Sequence, residues 1–242
     1  MIELEQLSAQ ELLAWAIHTH GDSFAISTAF QDEGMALVDI AARISPAVRV
    51  FTLDTGRLPE ETLQMIDTVR ERYGVRVEVV VPDATELERM VTLHGPNLFY
   101  RDPSLRKLCC HVRKVLPLGR KLSGLRAWAT GLRRSQSDER AGVPKVEESG
   151  GVIKLNPLAD WSAEELEAYI ARNGVPRHPL YARGYTSIGC GPCTRAVEPG
   201  ESERAGRWWW EQQDSKECGI HVTPSGEFRR TLDVLLKDIL IR

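Results

Sequence analysis

From residue 23 to residue 94, short β-prone runs and amphipathic helical runs take turns, and this alternation restricts the fold more than any other feature of the chain. Ser23–Thr28 is a β-prone run followed by the polar turn Phe30–Gly34, and Gly34–Ile44 then reads as a helix. Val48–Leu53 is the next strand, Glu60–Tyr73 a helix closed by Gly74, Val75–Val81 a valine-rich strand, and Thr85–His94 a further helix. Strand, helix, strand, helix, strand in that order implies a parallel sheet with crossover helices. Ahead of it, Ala9–His20 places Leu12, Leu13, Trp15, Ala16 and Ile17 at helical spacing behind a Ser8–Glu11 capping box. Beyond it, Cys110–Leu122 reads as a helix that Pro117 bends or splits, and Leu125–Gly131 and Val152–Leu155 as a fourth and fifth strand. Asp160, Trp161 and Ser162 cap a helix that runs to Asn173 and stops at Gly174. Pro176–Gly200 is punctuated by proline and glycine as loops are, and Phe228–Arg242 has an amphipathic helical pattern. The expected architecture is α/β: a parallel twisted sheet with helices on both faces, followed by a loop-rich C-terminal segment.

With 242 residues the chain can bury one large core, and its net charge of -3 gives no basis for a general nucleic-acid or membrane partner. The N-terminus is acidic where a secretory signal is basic, and no apolar run approaches the ~20 residues of a membrane span, so a cytoplasmic location is expected. In a reducing cytosol the 5 cysteines read as metal-binding or catalytic rather than as a disulfide framework. Four of them form the pairs Cys109-Cys110 and Cys190-Gly-Pro-Cys193. Sulfurs converging from two segments can hold a tetrahedral zinc ion or an iron–sulfur cluster, and a C-x-x-C pair alone can be a redox dithiol. The dithiol reading is the weakest, because residues 190–193 come late in the chain among prolines rather than after an early strand. Adjacent cysteines are awkward for a zinc site, whereas a cubane is larger and accepts neighbouring thiolates; spacing leans toward the cluster without deciding it. Cys218 stands apart in Lys216-Glu-Cys-Gly-Ile-His221, where a lysine and a histidine can raise its thiolate fraction. An idle surface cysteine is the ordinary alternative. A nucleophilic Cys218 also needs an outside dithiol to reset it.

Ligands of an open parallel sheet bind outside the carboxyl ends of its strands. Three polar turns are expected there: Ser27-Thr28 through Gly34, Leu53–Arg57, and Gly131–Ser137. Such turns are common at any strand-to-helix junction, but three in register favour an anionic, nucleotide-like ligand. Helix N-termini favour anions, and the adjacent Arg133 and Arg134 can bind one bidentately. No Walker A lysine pattern is present, so a P-loop is not expected. Arg204 and Arg207 lie three apart and can share a helical face, either to clamp an anion or to pair with Glu201 and Glu203. The run Trp208–Trp210 either stacks a base or packs the tail, and His18, His20, His94, His111 and His178 show no ligand spacing.

Several motifs in one order carry more than their spacings do: Leu-Asp-Thr-Gly-Arg (53–57), Cys-Cys-x-x-Arg-Lys (109–114), Thr-Gly-Leu-Arg-Arg-Ser-Gln-Ser (130–137), Gly-Cys-Gly-Pro-Cys-Thr-Arg (189–195), Gly-Arg-Trp-Trp-Trp-Glu (206–211) and Lys-Glu-Cys-Gly-Ile-His (216–221). Together they resemble the assimilatory adenylyl-sulfate reductases, a branch of the phosphoadenylyl-sulfate (PAPS) reductase family, from about residue 20 to residue 221. The resemblance implies an adenine nucleotide α-hydrolase-like sheet and a [4Fe–4S] cluster on Cys109, Cys110, Cys190 and Cys193. It implies that Ser27, Thr28, Leu53 and Gly131 surround an adenosine and that Lys114, Arg140, Arg204 and Arg207 hold a phosphosulfate. Arg133 and Arg134 are further candidates there, His221 another substrate contact, and Cys218 the nucleophile. The implied reaction reduces adenylyl sulfate (APS) to sulfite and AMP in sulfate assimilation and cysteine biosynthesis, with thioredoxin or a similar dithiol protein as partner. Residues 1–200 would then form a nucleotide-binding domain with the cluster site, and residues 201–242 a segment with the catalytic cysteine and an amphipathic tail. A homo-oligomer is compatible with this organisation. PAPS is the alternative substrate, although the PAPS-using branch lacks the four cluster cysteines. A tRNA sulfur transferase of similar fold and a zinc-organised binding module are more distant alternatives. The chain departs from the family in its first loop, Ser27-Thr-Ala-Phe-Gln31, which is usually richer in serine and glycine, and in its longer apolar tail.

Overall fold

The sheet runs β3–β2–β1–β4–β6–β5 in a computed structural model that describes residues 3–137 and 140–211. Its strands are β1 (Phe24–Ser27), β2 (Val50–Leu53), β3 (Val77–Val80), β4 (Ala127–Ala129), β5 (Val146–Ser149) and β6 (Val152–Leu155). All neighbours pair in parallel except β5, which closes one edge antiparallel to β6. The helices are α1 (Ala9–His20), α2 (Asp32–Ile44), α3 (Glu60–Tyr73), α4 (Ala84–His94), α5 (Pro103–Cys110), α6 (Leu116–Leu122) and α7 (Ala163–Asn173).

Side chains alternate across the short strands, and each face of the sheet acquires its own helices. Phe24, Ile26 and Val50 enter the main core with Leu12 and Leu13 of α1, Leu37 of α2, Val69 of α3 and Ile170 of α7. Ala25 and Phe51 face the other way, onto Leu118 and Leu122 of α6. Helices therefore cover both faces, as the alternation implies. Reciprocal boxes start α1 (Ser8 with Glu11) and α7 (Ser162 with Glu165), and Gly74 and Gly174, at φ 65° and 58°, end α3 and α7 in the left-handed region.

Three elements differ from expectation. The helix expected from Cys110 begins seven residues earlier as α5, where the Asp102 side chain accepts from the Ser104 N–H at 2.7 Å and Pro103 opens the first turn. Ahead of Pro117 the helical run passes through a π-helical turn, His111–Val115, and Pro117 stands in the first turn of α6, so the run is divided there as expected but stays helical throughout. The strand β5 has no hydrophobic alternation to announce it; a Gly150-Gly151 turn, with φ 62° and 80°, folds it onto β6.

Residues 176–211 run as loops with short 3-10 turns at Pro179–Arg183 and Gly191–Cys193. Thr194 pairs with Arg207 in an isolated bridge, and Trp208 is buried beside Cys109, Cys190 and Cys193. No helix among the described residues is long and apolar enough to cross a membrane. The expected tail helix over Phe228–Arg242 lies outside the described residues.

Candidate functional site

The chain leaves β1 for β2 and β3 on one side and returns to place β4 on the other, so the order reverses between β1 and β4. A parallel sheet opens a crevice at the carboxyl ends of two such strands. A pocket of about 470 Å³ lies there. Its floor is the strand ends themselves: Ser27 and Thr28 after β1, Leu53 and Thr55 after β2, Thr130 and Gly131 after β4. The close approach of these loops demands glycine. A Cβ on Gly131 would stand 2.6 Å from Glu33 Cβ and 3.1 Å from the Gly34 nitrogen. The Thr28 hydroxyl in turn packs on Gly34 and accepts from the Phe30 N–H at 2.8 Å.

Charges of both signs line this pocket. The first turn of α2 contributes Asp32 and Glu33, which fill the anion-favouring helix end with the protein's own carboxylates. Asp32 Oδ2 receives Arg177 Nη2 at 2.6 Å, and Glu33 Oε1 receives Arg133 Nε and Nη2 at 3.0 and 2.9 Å. Burial still pushes the Asp32 carboxyl up, and burial followed by the charge of Glu33 pushes Glu203 up. Lys114, Arg140, Arg204 and Arg207 line the same pocket. The Arg207 guanidinium lies over the Trp208 ring at 4.7 Å, and its buried Nε has no hydrogen-bond partner among the described residues.

A second cavity, of about 20 Å³, adjoins the first and is lined by Cys109, Cys110, Cys190 and Cys193 with Arg57, Arg106, Arg113 and Lys114. The i, i+4 spacing carries Arg113 and Lys114 from the cysteine pair on α5 into the π-helical turn. The facing loop is tied to the β2 turn and to Tyr100: the Gly191 N–H donates to the Arg57 carbonyl at 2.8 Å, and the Tyr100 hydroxyl donates to the Pro192 carbonyl at 2.8 Å. Arg113 Nη1 donates to the Thr55 carbonyl at 2.6 Å, while the Thr55 hydroxyl lies 3.3 Å from Cys190 Sγ. All four cysteines are free thiols. Burial pushes Cys193 up to about 12 and raises Cys109, against the pull of nearby cations. Among the described residues no three Cys, His, Asp or Glu side chains lie close enough to hold a metal ion as they are placed. The four sulfurs nonetheless share one small cavity with four cations, and thiolate is the donor of zinc and iron–sulfur sites alike.

Of the residues expected to contact substrate, Ser27, Thr28, Leu53, Gly131, Lys114, Arg133, Arg140, Arg204 and Arg207 all line the large pocket. Arg134 does not line it; its Nε donates to the Val143 carbonyl at 2.8 Å, because the 3-10 turn Arg134–Gln136 turns the second arginine of the pair away. Arg204 and Arg207 share no helix; a turn and the bridge to Thr194 present them instead. Cys218 and His221 lie outside the described residues. Arg177 in the lining is unforeseen, and the sequence singles out Gln136 and Glu203 only as part of a polar turn and as a possible partner of the arginines. Thr55 and Arg57 belong to a turn whose composition did mark it, though not these two side chains.

Residues 23–196 match the family model described as the phosphoadenosine phosphosulfate reductase domain. Among curated proteins, the chain is 48% identical to the adenosine 5'-phosphosulfate reductase of Burkholderia cepacia, over 91% of this chain and 88% of that protein. It is also 48% identical to that of Allochromatium vinosum, over 83% and 79%. Among solved structures, the phosphoadenylyl-sulfate reductase of Candida auris in a phosphate complex superposes with a TM-score of 0.67 at 32% identity, over 81% of this chain and 93% of that one. The FMN adenylyltransferase of Candida glabrata, at 10% identity and a TM-score of 0.52 over 96% and 85%, shares the fold alone. The sheet is thus of the adenine nucleotide α-hydrolase-like type, and the chain belongs to the phosphoadenosine phosphosulfate reductase family.

Proposed function

We propose that the protein reduces adenylyl sulfate to sulfite and AMP in sulfate assimilation, with Cys218 as nucleophile and a thioredoxin-like dithiol protein as reductant. The observation that carries this reading is the position of Lys114, which lines both the strand-end pocket and the four-thiol cavity. A nucleotide-sized crevice with several cations, joined through one lysine to a ring of sulfurs, suits an enzyme that acts on a mixed phosphoric–sulfuric anhydride by thiol chemistry. The names of its relatives point to the same substrate.

In this reading the adenosine lies over Ser27, Thr28, Leu53 and Gly131, and the phosphosulfate faces Lys114, Arg140, Arg204 and Arg207. Arg133, which lines the same pocket, is paired with Glu33. The Cys218 thiolate attacks the sulfate sulfur, an S–S bond forms, the S–O bond to the phosphate breaks, and AMP departs with its growing charge held by these cations. Cys218 is left as S-sulfocysteine. One thiolate of the partner attacks the Cys218 sulfur and frees sulfite; its second thiol breaks the mixed disulfide and leaves the partner oxidised. A cytoplasmic setting supplies such a reductant. In the same reading His221, three residues from Cys218 in the sequence, is a further substrate contact.

Cys109, Cys110, Cys190 and Cys193 would hold a [4Fe–4S] cluster, whose charge orients Lys114 and shapes the field at the sulfate without supplying electrons. Arg113 and Lys114 favour the thiolate forms that such ligation requires.

The test is sulfite release from APS by anaerobically purified protein, with reduced thioredoxin present or withheld, beside its visible spectrum. A brown protein that sustains sulfite release only with thioredoxin is expected. Colourless protein, no sulfite, or a strong preference for PAPS would contradict the reading.

A further inference from the structure

Trp208 touches one arginine from each cavity, and it does so in a conformation that its size disfavours. Its φ is 43°, in the left-handed region, where a bulky side chain is strained. The ring is buried, at 1% exposure, beside Cys109, Cys190 and Cys193. Two guanidiniums stand over it, with Cζ of Arg106 at 4.5 Å and Cζ of Arg207 at 4.7 Å from the ring centroid. Arg106 lines the four-thiol cavity and is paired with Glu211 at 2.6 Å. Arg207 lines the strand-end pocket, and its buried Nε has no hydrogen-bond partner among the described residues. We infer that Trp208 is a positioning residue for substrate, whose ring holds the Arg207 guanidinium toward the bound anion by a cation–π contact.

The inference rests on the reading that Arg207 meets the phosphosulfate of APS, and it starts from the strain. Consecutive side chains diverge in a strand and in a helix, so Arg207 and Trp208 would not meet in either. The left-handed turn brings them together. Hydrogen bonds fix that turn on both sides: the Trp208 N–H donates to the Cys193 carbonyl at 3.2 Å, and the Glu211 N–H donates to the Trp208 carbonyl at 2.9 Å. A ring that merely filled the core would need no such backbone. The contact also suits an anion site. A ring attracts a guanidinium through its quadrupole and carries no net charge. It uses none of the five N–H donors with which an arginine binds phosphate or sulfate.

The test measures the affinity for AMP of wild type, Trp208→Phe, Trp208→Leu and a protein with a difluorinated tryptophan at position 208 alone. Both natural substitutions leave a gap, but only Phe keeps a π face. Trp208→Leu is expected to weaken AMP binding roughly ten-fold and Trp208→Phe about three-fold. The fluorinated ring keeps the shape of tryptophan with a weaker quadrupole, and is expected to weaken binding about three-fold. In an Arg207→Met background the same fluorination is expected to change AMP affinity no further, which separates the contact with Arg207 from that with Arg106. Equal affinities of the Leu and Phe variants, a fluorinated protein within about 1.5-fold of wild type, or an undiminished fluorine effect in Arg207→Met each overturn the inference. If Trp208→Leu fails to fold, the fluorinated proteins decide alone. Wild-type protein that does not turn over APS overturns the proposed function and this inference with it; active wild type whose AMP affinity ignores the fluorinated ring overturns only the inference.

Discussion

The guanidinium of Arg207 occupies the space where a side chain on Gly189 would begin: a Cβ there would stand 2.6 Å from Arg207 Cζ and 2.9 Å from Nη1. The tight fit fixes Arg207 between a backbone wall and the Trp208 ring. Gly189→Ala should therefore displace Arg207 from the pocket while leaving the sheet intact. Turnover of APS is expected to fall about 100-fold, as for other misplacements of about an ångström, with little change in melting temperature. Wild-type kcat/KM in this variant would show that Arg207 is not held for substrate.

Arg106 and Glu211 form an ion pair at 2.6 Å with side-chain exposures of 2% and 3%, and the Arg106 guanidinium also covers the Trp208 ring at 4.5 Å. Arg106→Met strands a buried carboxylate and should cost about 3–5 kcal/mol of stability. The double variant Arg106→Met/Glu211→Leu should recover much of that loss. Urea unfolding of both proteins checks the pair, and equal stabilities would contradict it.

The His178 ring is buried and accepts the Leu180 N–H at Nδ1 (3.2 Å), so Nε2 carries the proton that reaches Thr62 Oγ1 at 2.9 Å. Burial lowers its affinity for a second proton, only partly offset by Glu61. The unfolded chain then takes up a proton that the native state resists, so stability falls as pH drops below about 6.5 and is unaffected by this group above about 7.5. His178→Gln should flatten the dependence of the urea midpoint between about pH 7.5 and 5.5, leaving the share of His20, which burial also lowers. An unchanged slope would contradict the assignment.

Thr55, fully buried at the end of β2, places its hydroxyl beside Cys190 Sγ. Thr55→Val keeps the shape and removes that contact. Iron bound per chain, followed during exposure to air, should be lost about ten-fold faster than from wild type, as for other second-layer contacts to a metal site. Equal rates would show that the hydroxyl does not support the thiolate.

Much of this was legible in the sequence because short-range patterns dictate it. Alternating strands and helices implied the parallel sheet, and the polar turns at Ser27, Leu53 and Gly131 marked the strand ends that form one pocket. What escaped depends on contacts far apart in the chain. Nothing in Arg133-Arg134 tells which arginine turns inward; Glu33, a hundred residues earlier, selects the first. The polar strand β5 is defined by its partner β6, and the π-helical turn that carries Arg113 and Lys114 leaves no periodic trace in His111–Val115. Arg204 and Arg207 reached the pocket without the helix expected of their spacing, through the bridge between Thr194 and Arg207.

The central claim is that Cys218 takes the sulfo group from APS and a separate dithiol removes it. Mass spectrometry of the protein after APS is added without reductant tests it most directly. The expected result is a single added sulfo group on the Cys218 peptide, absent in Cys218→Ser, and lost as sulfite when reduced thioredoxin is supplied. An unmodified Cys218 in protein that releases sulfite, or an adduct that thioredoxin leaves in place, would contradict the account.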